Sequence, residues 1–311
     1  MLIKYENEAQ WLAARVGLIT STEVACLFGL HEYKSLFQLW HEKAGGYVEA
    51  IEETKAIRTG RYLEDGVARM IADEQGWKIE DRTPYEIFMS ENVARFGASY
   101  DRIVQCPQRG RGLLEIKVRH SYAFDSMYDE EAHQIPADCE LQLHSQMANS
   151  GLEWSCHGVF LVDKRETRLF FRRADAGVKA SILEAVDEFW LSVYDRKEPK
   201  PDHDHEADRA FILKKIGNPV EGSTADLTGD NQLPSLCAEY KTITAEIALL
   251  EARKESLQSQ IVAKVGIYER AKCGDGFVVT SKLVPETEMS YTRAAYRGFR
   301  IDRKDPNKPT K

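Results

Sequence analysis

The stretch from Phe96 to His120 constrains this chain more than any other. It reads FGASYDRIV, then the polar turn QCPQRGRG, then LLEIKVRH. Side chains on a strand alternate between faces, so Glu115 and Lys117 share a face while Ile116 points the other way into apolar packing. Pro107, Gly110 and Gly112 suit a hairpin return between two strands. Such a return brings Asp101 beside Glu115. Neighbouring carboxylates resist joint ionisation unless a cation sits between them. Oxygen ligands on rigid backbone suit Mg²⁺, with Mn²⁺ as a substitute, and a lysine next to the ion can hold an attacking water. Asp, a spacer, then Glu-x-Lys is the minimal set for metal-assisted phosphodiester hydrolysis. Elsewhere the same residues occur as a turn aspartate followed by a solvated charge pair. Here LLEIKV sets its charges in an otherwise apolar strand, where unpaired charge is costly to bury.

At 311 residues the chain can bury one large core and still carry an appendage. It has no apolar run near the ~18 residues that span a bilayer. Its opening, MLIKYENEAQW, lacks the apolar centre of a signal peptide. The six cysteines, at 26, 106, 139, 156, 237 and 273, include no CxxC pair. They read as reduced thiols in a cytoplasm and speak against a zinc ribbon. No membrane partner is expected. The net charge of -8 opposes a generally nucleic-acid-binding surface, but local clusters matter more than the sum. Arg102, Arg109, Arg111, Lys117, Arg119 and His120 lie in or beside the Asp–Glu-x-Lys stretch, with Arg119 a candidate DNA contact. A second basic cluster runs from Lys164 to Arg173, and residues 297–311 form a basic tail. Either of these is a DNA surface or an ordinary solvated face.

Residues 7–16 read as a short helix. Thr20, Ser21 and Thr22 precede a helical pattern starting near Glu23, so one of them is a natural N-cap. That turn is an ordinary capped helix start or a phosphate-binding one, with Arg15 supplying charge. Residues 35–44 and 57–75 are amphipathic helices. On the second, Glu64 shares a face with Val67, Ala68 and Ile71. A carboxylate on an apolar stripe is either salt-bridged or functional. Strands follow over 77–118, with ARFGASYDRIV as one run and SYAFDSMYDE as a connection. Pro136 opens a helix, ADCELQLHSQMANSG, on which Gln142 and Gln146 sit at i, i+4. Such glutamines contact a nucleic acid or a metal-bound water, or simply face solvent. The strands WSCHGVFLVD and TRLFFRR and a helix over 174–195 complete a first domain of residues 1–200. Residues 201–235 read as a linker, within which His203-x-His205 is either a metal pair or part of a flexible acidic segment. In residues 236–311, apolar residues from Leu236 to Ile261 recur at steps of 4, 3, 4, 3, 7 and 4, a coiled-coil-like long helix. A β-hairpin over AKCGDGFVVTSKLV and a terminal strand YRGFRI follow.

The ordered pieces RVGLITSTEV, GRYLEDGVARMIADEQG, FGASYDRIV, LLEIKV and LQLHSQMANSG resemble the YqaJ-type viral recombinase family. Those are lambda-exonuclease-like members of the PD-(D/E)xK nuclease superfamily. The resemblance covers roughly residues 8–200. It implies an α/β (α+β) restriction-endonuclease-like core, a central mixed β-sheet flanked by helices, with the long helix and hairpin as an appendage. It further implies a cytoplasmic, phage- or prophage-encoded exonuclease that uses Mg²⁺ to degrade linear double-stranded DNA 5′ to 3′, leaving 3′ single-stranded tails. By the same resemblance Asp101, Glu115 and the Ile116 backbone carbonyl would hold metal, and Lys117 would serve the water. Glu64 and Gln142 would complete the catalytic set, and Arg15, Thr22 and Ser99 would hold the 5′-phosphate. Tyr100 stands where the family's proline is expected. A homo-oligomer, in the form of a ring-shaped trimer, and a single-strand annealing protein are the implied partners. An endonuclease of the same fold and a non-catalytic DNA-end-binding adaptor are the competing readings.

Overall fold

The computed structural model describes residues 1–48, 53–81, 83–288, 297 and 299–301. The chain divides into two compact units, residues 1–216 and 217–311. The first unit opens with β1 (Leu2–Lys4), α1 (Glu8–Val16), β2 (Ile19–Thr20), α2 (Val24–Leu27), α3 (Leu36–Gly45) and α4 (Lys55–Gln75). Then come β3 (Lys78–Ile79), β4 (Glu86–Met89), β5 (Phe96–Ala98), β6 (Arg102–Cys106) and β7 (Gly110–Arg119). It ends with α5 (Ser121–Met127), α6 (Ala137–Ser150), β8 (Trp154–Leu161), β9 (Glu166–Arg173), α7 (Ala176–Tyr194) and α8 (Glu206–Ile216).

The main sheet is mixed, in the order β3-β6-β7-β8-β9; only β7 and β8 run parallel. A parallel neighbour needs a crossover, and the chain between β7 and β8 supplies α5 and α6 for it. The stripe read on α4 packs as expected: Val67, Ala68, Ile71 and Ala72 bury against Val104, Leu114, Ile116 and Cys156. Burial of a valine, leucine or isoleucine side chain such as Val67 or Ile71 contributes about 1.5–3 kcal/mol. Gly158 on β8 makes the approach possible, because a Cβ there would lie 2.7 Å from Cδ1 of Ile71. The other sheet face carries α6, whose Met147 packs with Leu113, Ala98 and Tyr100.

The run ARFGASYDRIV is not one strand. Phe96–Ala98 joins a second sheet, ordered β1-β4-β5-β2, while Arg102–Cys106 pairs with β7 in the main sheet. The chain changes sheets at Ser99-Tyr100-Asp101, and alternation alone does not reveal which neighbour each half will find. Part of the segment expected to connect β7 to α6 forms α5, whose Phe124 stacks on Tyr128 at 4.6 Å.

The linker expected over 201–235 is corrected at its start, where α8 belongs to the first unit. Phe211 meets Phe37 edge-on at 5.8 Å, and the buried Asp208 accepts from the Ser35 hydroxyl and from the Asp202 backbone N–H. His205 is a tie as well, its Nε2 lying 2.9 Å from the His31 carbonyl.

The second unit contains α9 (Leu233–Val265) and the antiparallel pair β10 (Arg270–Lys272) and β11 (Val278–Thr280). The apolar stripe of α9 is exposed: Leu236, Tyr240, Ile243, Ile247, Leu250, Leu257 and Ile261 are 43–70% accessible. Of the terminal strand expected over 296–301, residues 297 and 299–301 are described and none of these is in a strand; most of the basic tail lies outside the described residues. Among the described residues, no helix is long and apolar enough to cross a membrane.

Candidate active site

The β6–β7 hairpin does what its turn residues predict. Cys106 pairs with Gly110 and Arg102 with Leu114, so Asp101 stands at the next position, opposite Glu115. Oδ2 of Asp101 accepts the backbone N–H of Ile116 at 2.8 Å. Ile116 enters the site through its backbone while its side chain packs beneath α4. The observed contact is made by its N–H.

Glu115 is 3% exposed and receives three donors. Lys117 Nζ donates to Oε1 at 2.5 Å, Gln142 Nε2 to Oε1 at 2.6 Å, and Gln146 Nε2 to Oε2 at 2.7 Å. Lys117 also donates to Gln142 Oε1 at 3.2 Å. Asp101, Glu115, Lys117 and Gln142 therefore meet, as expected. Gln146, expected with Gln142 to contact a nucleic acid, a metal-bound water or solvent, donates to Glu115 instead. Its signal was the Gln-x-x-x-Gln spacing, and both glutamines turn out buried rather than solvated. His157 was missed altogether. It lies in register with Glu115 across β7 and β8, fully buried, with Nε2 at 3.1 Å from the Tyr128 hydroxyl. Burial pushes its pKa well below the usual imidazole value, assisted by Lys117 and Arg119, so the back wall of the site is neutral.

The charges at the centre do not balance. Burial raises the Asp101 pKa, and Glu115 and Glu64 raise it further against the opposing pull of Lys117 and the Ile116 N–H. Asp101 is crowded on most sides yet still reached by solvent. Burial alone would lower the Lys117 pKa, but Glu115 and Asp101 outweigh it and hold the amine protonated. Glu64 is not turned into the cluster: its Oε1 accepts from Arg102 Nη1 at 2.9 Å, and Arg102 also pairs with Asp65 at 3.1 Å. Among the described residues, no three His, Cys, Asp or Glu side chains form a ready-made ligand cluster. Even so, the donor set fits a hard divalent cation. It is built from carboxylate and amide oxygens, and it keeps a carboxyl partly neutral for want of positive charge.

Arg15 and Ser99, two of the three residues expected at a 5′-phosphate, meet at Trp11. The Arg15 guanidinium sits 4.5 Å above the Trp11 ring, and Trp11 Nε1 donates to Ser99 Oγ at 3.2 Å. Burial lowers the Arg15 pKa against the opposing charge of Glu23. Thr22 is exposed, 3.1 Å from Thr20 through their hydroxyls. The N-cap expectation fails here. Glu23 holds the cap position of the four-residue α2 with no side-chain cap, and its carboxylate turns back to Thr20 N and Oγ1, both at 3.0 Å. The reason is Lys43, buried beside Glu23 at 3.0 Å, which draws that carboxylate inward.

Much of the expected basic surface is spent within the fold. Arg111 pairs with Glu80, Arg168 with Glu130 and Glu166, and Arg172 with Glu140. Glu140 is accordingly held down to about 2, as the hydrogen bonds from His144 and Arg172 overcome its burial. Arg119 donates to the Val118 carbonyl at 3.2 Å and pairs with no carboxylate among the described residues.

A mixed sheet with α4 on one face and α6 on the other, delivering Asp, Glu-x-Lys and a helix glutamine to one point, has the architecture of a restriction-endonuclease-like α/β core. LHK-Exo, crystallised in complex with dAMP, has a similar fold: 22% identity, 60% of this chain and 93% of that one covered, TM-score 0.50. A second structure, described as an alkaline exonuclease (LHK-Exo) from Laribacter hongkongensis, is 20% identical, with 67% and 98% covered and a TM-score of 0.49. Residues 10–153 match the model of the YqaJ-like viral recombinase domain. That span includes every site residue expected from the sequence, and His157 lies just beyond it. The uncharacterized protein YqaJ of Bacillus subtilis (strain 168) is 24% identical over 255 residues, 81% of this chain and 76% of that one.

Proposed function

We propose that this chain is a phage-type recombination exonuclease, which degrades linear double-stranded DNA from 5′ ends with Mg²⁺ and leaves 3′ single-stranded tails. The observation that carries the reading is the meeting of Asp101, Glu115, Lys117 and Gln142 at one solvent-reachable point with a deficit of positive charge. The match to the YqaJ-like viral recombinase domain and the similarity in fold to LHK-Exo support it.

Asp101, Glu115 and the Ile116 carbonyl would hold the cation, with Glu64 close enough to act on Asp101 electrostatically. When bound, the cation supplies Lewis acidity to the phosphate under attack. Lys117 remains charged and orients the attacking water through one of its three donors. Gln142 and Gln146 hold the Glu115 carboxylate in one rotamer and leave little freedom to be lost on substrate binding. Arg15, stacked on Trp11 and joined through it to Ser99, forms with Thr22 the seat for a terminal phosphate. Such a seat would set polarity, since only a 5′ end presents that group.

Digestion of linear duplex carrying 5′-phosphate or 5′-hydroxyl ends, with and without Mg²⁺, tests the reading. Expected is Mg²⁺-dependent loss of linear duplex, faster on 5′-phosphate, with closed circular duplex resistant. Cutting of closed circles points to an endonuclease, and DNA binding without digestion points to an adaptor. Either outcome overturns the proposal.

A further inference from the structure

Helix α9 lies in the second unit, and its apolar stripe is exposed over about 38 Å from Leu236 to Ile261. Heptad spacing is the pattern of a helix that packs along another helix, with a and d residues meeting in layers. With Leu236, Ile243, Leu250 and Leu257 at d, the a positions are Tyr240, Ile247, Lys254 and Ile261. The flanking g positions are Glu239, Glu246, Arg253 and Gln260; Thr244 and Glu251 are at e.

We propose that α9 docks on α9 of a second copy of this chain, antiparallel, with Ile247 layered on the partner's Leu250. The charges select this arrangement. A parallel pair stacks Lys254 on the partner's Lys254 and sets Glu246 against the partner's Glu251, both repulsive. The antiparallel pair sets each Lys254 against the partner's Ile243, beside the partner's Glu246. It also pairs Glu246 with the partner's Arg253, twice by symmetry. Shifting the antiparallel register by one heptad either way sets Glu246 against the partner's Glu246, or Arg253 against the partner's Arg253. Ile247 on Leu250 is therefore the register in which apolar layers and flanking charges agree. Tyr240 already meets Phe299 edge-on at 5.3 Å, so its layer is shared with the C-terminal segment.

The inference does not depend on nuclease activity, and its test reads mass and cross-links. By light scattering the full chain at tens of micromolar is expected to run at twice the mass of Ile247→Glu, whatever assembly the first unit forms. Glu246→Arg weakens the antiparallel pair at least tenfold, because the introduced guanidinium then faces the partner's Arg253, but strengthens a parallel pair by facing the partner's Glu251. Glu246→Arg with Arg253→Glu restores antiparallel pairing. In Gln258→Cys, mild oxidation is expected to link Cys237 to residue 258 of the partner. A monomeric parent, an assembly indifferent to Ile247→Glu, or a bridge joining two copies of Cys237 overturns the proposal.

Discussion

The first unit buries two clusters of charge, and they are built to opposite rules. Beneath α2, Glu23 and Glu42 face Lys34 and Lys43, two anions to two cations. Lys34 lies 2.6 Å from Glu42 and Lys43 lies 3.0 Å from Glu23. Gln38, Thr20 and the Arg15 carbonyl occupy further hydrogen-bonding positions. At the hairpin, Glu64, Asp65, Asp101 and Glu115 face Lys117 and Arg102, four anions to two cations, and Asp101 is held toward its neutral form. A balanced cluster needs nothing from outside. An unbalanced one has its most favourable state only when a cation arrives, which is what separates a structural charge cluster from a candidate catalytic one.

Breaking the balanced cluster should have the largest effect on folding. Lys43→Met strips Glu23 of its 3.0 Å partner and leaves Glu23 and Glu42 to share Lys34, at a cost of about 3–5 kcal/mol in urea unfolding. A loss well under 1 kcal/mol would mean that the cluster is a solvated one. The hairpin cluster should answer in rate instead. Asp101→Ala is expected to reduce digestion of linear duplex by at least about 10²–10³-fold with little loss of stability; full activity in that variant removes the site. Gln146→Leu comes next, as it strips the donor from the Oε2 of Glu115, a cost of about 1–3 kcal/mol. Added Mg²⁺ should recover part of that loss in a thermal melt.

The smallest effect is the most diagnostic. A raised folded-state pKa on Asp101 means that stability is complete below the ordinary aspartate value and declines as pH rises through the folded value. In EDTA, Asp101→Asn should therefore match the parent near pH 4 and exceed it by about 1 kcal/mol near pH 9. Equal stability at both pH values would mean that Asp101 carries no electrostatic strain. Excess Mg²⁺ should stabilise the parent more than the variant.

The hairpin was legible because its signals are local. Turn residues, strand alternation and charges in an apolar strand lie within 25 residues, and together they predict that Asp101 meets Glu115. The stripe on α4 was legible for the same reason. The partners that give each group its state were not. Arg102 reaches Glu64 across 38 positions, Gln146 reaches Glu115 across 31, and His157 comes into register with Glu115 only through a parallel crossover. Lys43 overrides the expected helix cap from 20 positions away.

By itself, then, the order of residues determined which side chains share a strand face or a helix stripe, since the chain's two periods, 2 and 3.6, fix those relations without any partner. Tertiary structure decided which of those side chains carry opposed charge and which are neutralised. Desolvation and ion pairing depend on what is packed nearby, and neighbours in space are set by how sheets and helices meet.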